Sequence, residues 1–255
     1  MANPLVDAMS VSFDRIADSF DRTRRITAEA MTGITCVLVK ELAGRGRILD
    51  AGTGTGLFSG PLGEAGFEVV GLDISEKMLA KAREKGIRCL MLGDVRALPF
   101  RAGSFGAALC NRILHLVREW EAALREIVRV TDGVVVSVMN DRKGPYANTP
   151  NERYRALTRE LGYAREHPGL TDMTERIPPS GSRLGAVYSS SVPVALQHLS
   201  EKAFSYQWNA PEDIHRTALA KVNEEFAGVE RYESALCVHV WDVAVIRDYL
   251  ESIGH

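Results

Sequence analysis

The sequence predicts an α/β fold: a doubly wound, mostly parallel sheet with helices on both faces. Three observations carry this. Short apolar runs alternate with helical stretches between residues 47 and 140, the first run leads straight into a glycine turn, GTGTG (52–56), and three runs close on an acid: Asp50, Asp73 and Asp94. Apolar runs of strand length that alternate with helices indicate βαβ units whose strands are buried on both faces. Right-handed crossovers then gather the strand C-termini, and any ligand, along one edge.

The elements follow in order. Phe13, Ile16, Ala17 and Phe20 fall at i, i+3, i+4 and i+7, one apolar helical stripe. A second helix is expected from Thr27 to Leu42, stopped by Gly44 and Gly46. RILDA (47–51) is the first strand, GLFSGPLGEAG (56–66) starts a helix, and FEVVGLD (67–73) is the second strand. SEKMLAKAREKG (75–86) is a helix capped by Ser75 and ended by Gly86. IRCLMLGD (87–94) and SFGAALCN (104–111) are strands three and four, REWEAALREIVRV (118–130) is a helix, and GVVVSVMN (133–140) is the fifth strand.

The rhythm then breaks. Residues 141–210 hold DRKGP, HPGL, IPPSGS and SSSVP around one helical run, NERYRALTRELGYA, and read as an insertion or substrate cap. Residues 211–228 read as a helix opening at Pro211, and 233–246 contain a last strand. The expected organisation is a helical N-terminal lid (1–45), a cofactor-binding core (46–140), the cap (141–210) and a C-terminal part of the core (211–255).

Composition narrows the function classes. The chain has 255 residues, 45% of them hydrophobic and 25% charged, as an ordinary globular protein does. A net charge of -2 gives no footprint for a polyanion, so nucleic acid is not the favoured partner. No apolar run nears the roughly 20 residues of a membrane span, and the N-terminus does not read as a signal peptide. The expected location is cytoplasmic. The four cysteines (36, 89, 110 and 237) read as buried free thiols, and no histidine cluster suggests a metal.

The glycine turn and the acids carry the chemistry. A side chain at Gly52 or Gly54 would block close approach of a ligand to the backbone, and some of these turn positions need positive φ. The spacing is G-x-G-x-G, whereas a dinucleotide turn reads G-x-G-x-x-G. A carboxylate at Asp50 would repel a phosphate and welcome a cation such as an amino-acid ammonium. Asp73 lies 21 positions after Gly52, where an acid can take two ribose hydroxyls. Asp94, followed by Val95, can accept from the exocyclic amine of an adenine.

With ILDAGTGTG, VVGLDISEKML, LMLGDVRALPF and FGAALCNRILHLV in this order, residues 10–140 resemble the class I S-adenosylmethionine-dependent methyltransferases. The resemblance is greatest to the small-molecule group that includes ubiquinone- and menaquinone-biosynthesis enzymes. It implies a Rossmann-like, seven-stranded sheet and S-adenosylmethionine as cofactor. Asp50, Gly52 and Gly54 would serve the methionine end, and Asp73 the ribose. Ile74 and Met78 would lie against the adenine, Asp94 and Val95 would bind its edge, and Asn111 would sit beside the methionine moiety. His115 or Leu116 would face the reaction centre, His115 as a base for a hydroxyl acceptor.

SFDRIADSFDRTR resembles the family's lid helix, but Phe13 and Phe20 replace its two tyrosines. Arg24 or Arg25 is then the candidate for the lost contact to the cofactor carboxylate. His198, Tyr188 and Trp208 are candidates for shaping the substrate pocket. The chain lacks the [DNS]PP[YFW] of amino-methylating DNA enzymes and the Pro-Cys of cytosine-C5 enzymes, so a small molecule is the expected acceptor. The alternatives are an NAD-dependent oxidoreductase, disfavoured by the glycine spacing and Asp50, and a non-catalytic S-adenosylmethionine-binding module. The oligomeric state and the accepting atom are not legible.

Overall fold

The computed structural model describes residues 17, 20–21, 26–142, 144–164 and 169–254. A seven-stranded sheet runs in the order β3-β2-β1-β4-β5-β7-β6. Its strands are β1 (Ile48–Ala51), β2 (Val69–Asp73), β3 (Leu90–Leu92), β4 (Phe105–Leu109), β5 (Thr131–Asp141), β6 (Gly181–Ser191) and β7 (Arg231–Asp242). The first five pair in parallel, while β7 is antiparallel to both β5 and β6. The sheet is therefore parallel where the ligand edge was expected and antiparallel at its far side.

Helices cover both faces. On one face, α1 (Ala28–Leu42) buries Ala30, Ile34, Leu38 and Leu42, a four-residue spacing that forms a single stripe. Thr27 Oγ1 accepts from Ala30 N–H at 3.2 Å and caps this helix. Between β1 and β2 lies the short α2 (Ser59–Glu64). Between β2 and β3 lies α3 (Glu76–Glu84), whose N-terminus is capped by Ser75 Oγ, accepting from Met78 N–H at 3.1 Å. On the other face, α4 (Trp120–Val130) and α8 (Val243–Ser252) pack Leu124, Ile127, Ile246 and Leu250 against the sheet.

Three helices form a satellite layer with its own core: α5 (Pro150–Glu160), α6 (Val192–Ser200) and α7 (Glu212–Glu225) bury Tyr154, Leu157, Leu199, Ala218 and Val222 together. The structure thus divides the second half differently from the chain order. Residues 141–210, expected as a cap, also supply β6 to the main sheet, and α7, from the segment expected to complete the core, packs in the cap.

GSRLGAVYSSS reads as a break because its apolar residues are few, and its strand exists through ladder pairing with β7. SSSVP reads as a turn, yet Ser191 Oγ accepts from Val194 N–H and the proline sits in the first turn of α6. The cysteines also differ from expectation. Cys110 is buried and Cys237 partly so, but Cys36 and Cys89 are exposed. Cys36 falls off the buried stripe of α1, and Cys89 lies just before β3, the edge strand of the sheet. Among the described residues no helix is long and apolar enough to cross a membrane.

Candidate functional site

A cavity of about 990 Å³ lies over the C-terminal ends of the parallel strands, with the glycine turn on one side and the satellite helices on the other. The turn takes the form that only glycine adopts cheaply. Gly52, Gly54 and Gly56 have φ of 76°, 55° and 77°. A Cβ at Gly54 would meet nothing within 4 Å and would project into open space, whereas one at Gly56 would overlap the Ile87 side chain. So Gly54 keeps a cradle clear, and Gly56 lets the turn pack on the segment before β3.

Asp50 is the next-to-last residue of β1 and is only 3% exposed. Its Oδ2 accepts from Thr53 Oγ1 at 2.9 Å and from Ser59 Oγ at 2.5 Å. Burial raises its pKa to about 6, against the pull of these two hydroxyls, and the negative charge of Asp73 adds to the rise. The neighbouring Cys110 thiol is likewise pushed up to about 12 by burial and by Asp50. A cation placed beside Asp50 would relieve it.

Asp73 sits between the turn and α3. Its Oδ2 accepts from Gly54 N–H at 2.8 Å and its Oδ1 from Ser75 N–H at 2.9 Å. The helix cap proper is Ser75, so Asp73 serves chiefly to fix the turn and to present a carboxylate at the cavity. Asp94 is held differently: Arg96 returns to it from two positions on, donating its backbone N–H to Oδ1 at 2.8 Å and Nη2 to Oδ2 at 2.7 Å. Hydrogen bonds from Arg96 keep Asp94 below the usual carboxylate range despite its burial. Arg96 is itself anchored on Glu119 at 2.8 Å.

Asn111 follows β4. Its Oδ1 accepts from Val138 N–H at 2.6 Å, which fixes the amide, and its buried Nδ2 has no partner among the described residues. An orphaned buried donor beside a cavity is a group waiting for an acceptor. Ile74, Met78, Val95, His115, Leu116, Tyr188 and His198 all line the same space, as does Phe20. His115 lies in a 3₁₀ turn, Leu114–Leu116. Trp208 does not line it; its indole N–H donates to Lys202 O at 3.1 Å within the satellite layer. Phe13, Arg24 and Arg25 lie outside the described residues.

Residues 49–136 match the family described as "Methyltransferase domain". Over those residues the chain is similar to a methyltransferase domain. A malonyl-[acyl-carrier protein] O-methyltransferase from Erwinia pyrifoliae is 45% identical over 86 residues, 33% of this chain and 33% of that protein. A demethylmenaquinone methyltransferase from Renibacterium salmoninarum is 34% identical over 155 residues, 57% of this chain and 65% of that protein. The chain thus spans between a third and just under two thirds of the length of these curated relatives. The likeness in fold extends further than the family match. The YcgJ protein of Bacillus subtilis (16% identity, TM-score 0.50) and a Bacillus halodurans protein (17%, TM-score 0.53) each cover 82% of this chain, which covers 98% of theirs.

Sequence reasoning missed the groups that hold the three strand-end acids in place. Thr53 and Ser59 could have been found as hydroxyls flanking a strand-end acid, and Arg96 as the basic residue two positions after Asp94. Asp21 has no local signal. It accepts from Thr55 Oγ1 at 2.6 Å and pairs with Lys85 at 2.6 Å, tying the helical residues 20–21 to the turn.

Proposed function

We propose that this chain is an S-adenosylmethionine-dependent methyltransferase acting on a small-molecule acceptor. The observation that carries the reading is the buried Asn111 Nδ2, without a partner among the described residues, in a cavity lining shared with the glycine turn and with Asp50, Asp73 and Asp94. That set of groups fits a ligand with an amino-acid end, a ribose and an adenine. Gly54 gives the backbone clearance, and the Asp50 carboxylate, raised to about 6, gains from an ammonium beside it. Asp73, which accepts from Gly54 N–H and Ser75 N–H at the cavity, is assigned to the ribose hydroxyls. Asp94, locked by Arg96, accepts from the adenine amine with the Val95 backbone alongside, while Ile74 and Met78 supply the apolar contact. Asn111 Nδ2 donates toward the methionine end, and Arg24 is assigned to its carboxylate.

When bound, the cofactor supplies a methyl group on a sulfonium, which an in-line nucleophile displaces. The protein's part is to align the acceptor and exclude water. Phe20, from the segment read as a lid, and the satellite helices, which also line the cavity, are assigned to that exclusion. For a hydroxyl acceptor, His115 is the residue assigned as general base. The relatives, named for demethylmenaquinone and malonyl-[acyl-carrier protein], support an acceptor whose methylated group is small and not a nucleic acid. Calorimetry tests the reading. S-adenosylhomocysteine should bind and NAD should not; tight NAD binding with no response to S-adenosylhomocysteine would overturn it.

A further inference from the structure

The cap side of the cavity brings three arginines together. Arg112 follows Asn111 directly, Arg142 follows the last residue of β5, and Arg155 is on α5; all three line the cavity. Two of them share one carboxylate. Glu152 Oε1 is 3.1 Å from Arg142 Nε and 3.4 Å from Arg155 Nη1. Arg155 also lies over the Tyr206 ring, 5.4 Å from its centroid. Arg112 has no carboxylate partner among the described residues: its Nη2 donates to the neutral Asn140 Oδ1 at 2.7 Å. Three guanidiniums thus gather on this side, two of them on one glutamate, with Asp141 and Asp172 also in the lining.

Two further features set Arg112 apart. Its backbone has φ of 53°, in the left-handed region that a side-chain-bearing residue enters at a cost. Backbone strain of this kind persists where the surrounding structure holds it, and it clusters at ligand sites. The side chain is open to solvent inside the cavity, yet enough protein surrounds it that loss of bulk water lowers its pKa; Arg142 and Arg155 lower it further, and Tyr188 and Glu152 oppose them. A positive group placed at such a cost has a use for an anion.

We propose that Arg112, Arg142 and Arg155 form an oxyanion subsite and that the methyl acceptor carries a carboxylate or phosphate group held there. This rests on the methyltransferase reading, since it places the subsite beside the transfer centre. Guanidinium forks suit both anions, binding them through paired, charge-assisted hydrogen bonds. The acids of the turn side keep the anionic end of an acceptor away from the cofactor half, so the two charge patterns together orient it.

The test uses the full chain and three probes of one shape: benzoate, phenyl phosphate and the neutral benzamide, titrated by calorimetry with and without saturating S-adenosylhomocysteine. An anionic probe should bind about tenfold or more tightly than benzamide. The advantage should shrink in Arg112→Gln and in Arg155→Gln and with added salt. The tighter of benzoate and phenyl phosphate identifies the group. Arg142→Gln serves as a third variant should either of the others fail to give a native melting curve.

Equal binding of benzoate, phenyl phosphate and benzamide would overturn the proposal, as would an anion preference that survives all three substitutions. A loss of S-adenosylhomocysteine affinity in Arg112→Gln equal to the loss for the anionic probe would overturn it too, because the arginine would then serve the cofactor's carboxylate. If the wild-type chain binds the anionic probes but not S-adenosylhomocysteine, the methyltransferase reading fails while the anion subsite stands.

Discussion

Replacing Asp50 by asparagine should stabilise the free protein. The buried carboxylate titrates near 6 instead of 3.8, so its ionised form is disfavoured in the folded state. A difference of one pKa unit between folded and unfolded states is worth about 1.4 kcal/mol, and the rise therefore costs the wild-type protein on the order of 3 kcal/mol at pH 8. The sign follows from linkage. A folded-state pKa raised above the unfolded one contributes stability that is fully present below the unfolded pKa of 3.8 and is lost as pH rises through 6.

The asparagine amide does not ionise, and it keeps an oxygen to accept from Thr53 and Ser59. Asp50→Asn should then gain about 3 kcal/mol at pH 8 and roughly half of that at pH 5. Urea denaturation of both proteins across this range measures it. A variant that is less stable than wild type at pH 8, or a gain that does not change with pH, would refute the assignment of a strained, ionised Asp50. The expected cost appears only with ligand: the same variant should bind S-adenosylhomocysteine more weakly, since an amide offers no charge to an ammonium.

Other outcomes follow from the same geometry. Wild-type affinity for S-adenosylhomocysteine should rise between pH 5 and 7 and then level off, because a cation beside Asp50 favours its ionised form and its free pKa is about 6; a flat profile by calorimetry would place the ammonium elsewhere. Asp73→Ala should weaken that affinity on the order of 100-fold, from two lost hydrogen bonds to a charged group. It should also lower stability by about 1–2 kcal/mol, because Gly54 N–H and Ser75 N–H lose their acceptor; a stability loss with unchanged affinity would make Asp73 purely structural. Gly56→Ala should destabilise by about 2 kcal/mol or more, through positive φ and overlap with Ile87, and adding Ile87→Ala should recover part of the loss in thermal melts.

The glycine turn and the three acids were legible because they are contiguous with strands whose apolar runs mark their ends. Asp50, Asp73 and Asp94 each follow such a run, and the structure brings all three to one cavity. What holds them was not legible: Arg96 reaches Asp94 through a turn, and Asp21 reaches Thr55 across 34 residues. β6 was missed for a different reason. GSRLGAVYSSS has the small and polar residues of a loop, and only pairing with β7, itself far along the chain, makes it a strand. Helix α8 was hidden by continuity, since VWDVAVI runs unbroken from β7 into the helix and a short apolar run does not reveal its period. The arginines of the cap come together from the ends of β4 and β5 and from α5, three places with no shared motif.

Binding alone does not separate an enzyme from a module that only holds the cofactor. The measurement that does is transfer: the protein incubated with methyl-labelled S-adenosylmethionine and the small-molecule fraction of a cell extract, followed by mass spectrometry. The expected result is S-adenosylhomocysteine formed only when the extract is present, together with one labelled small molecule, and both strongly reduced with Asp73→Ala at limiting S-adenosylmethionine. S-adenosylmethionine bound tightly but never turned over, with every fraction tried, would contradict the assignment.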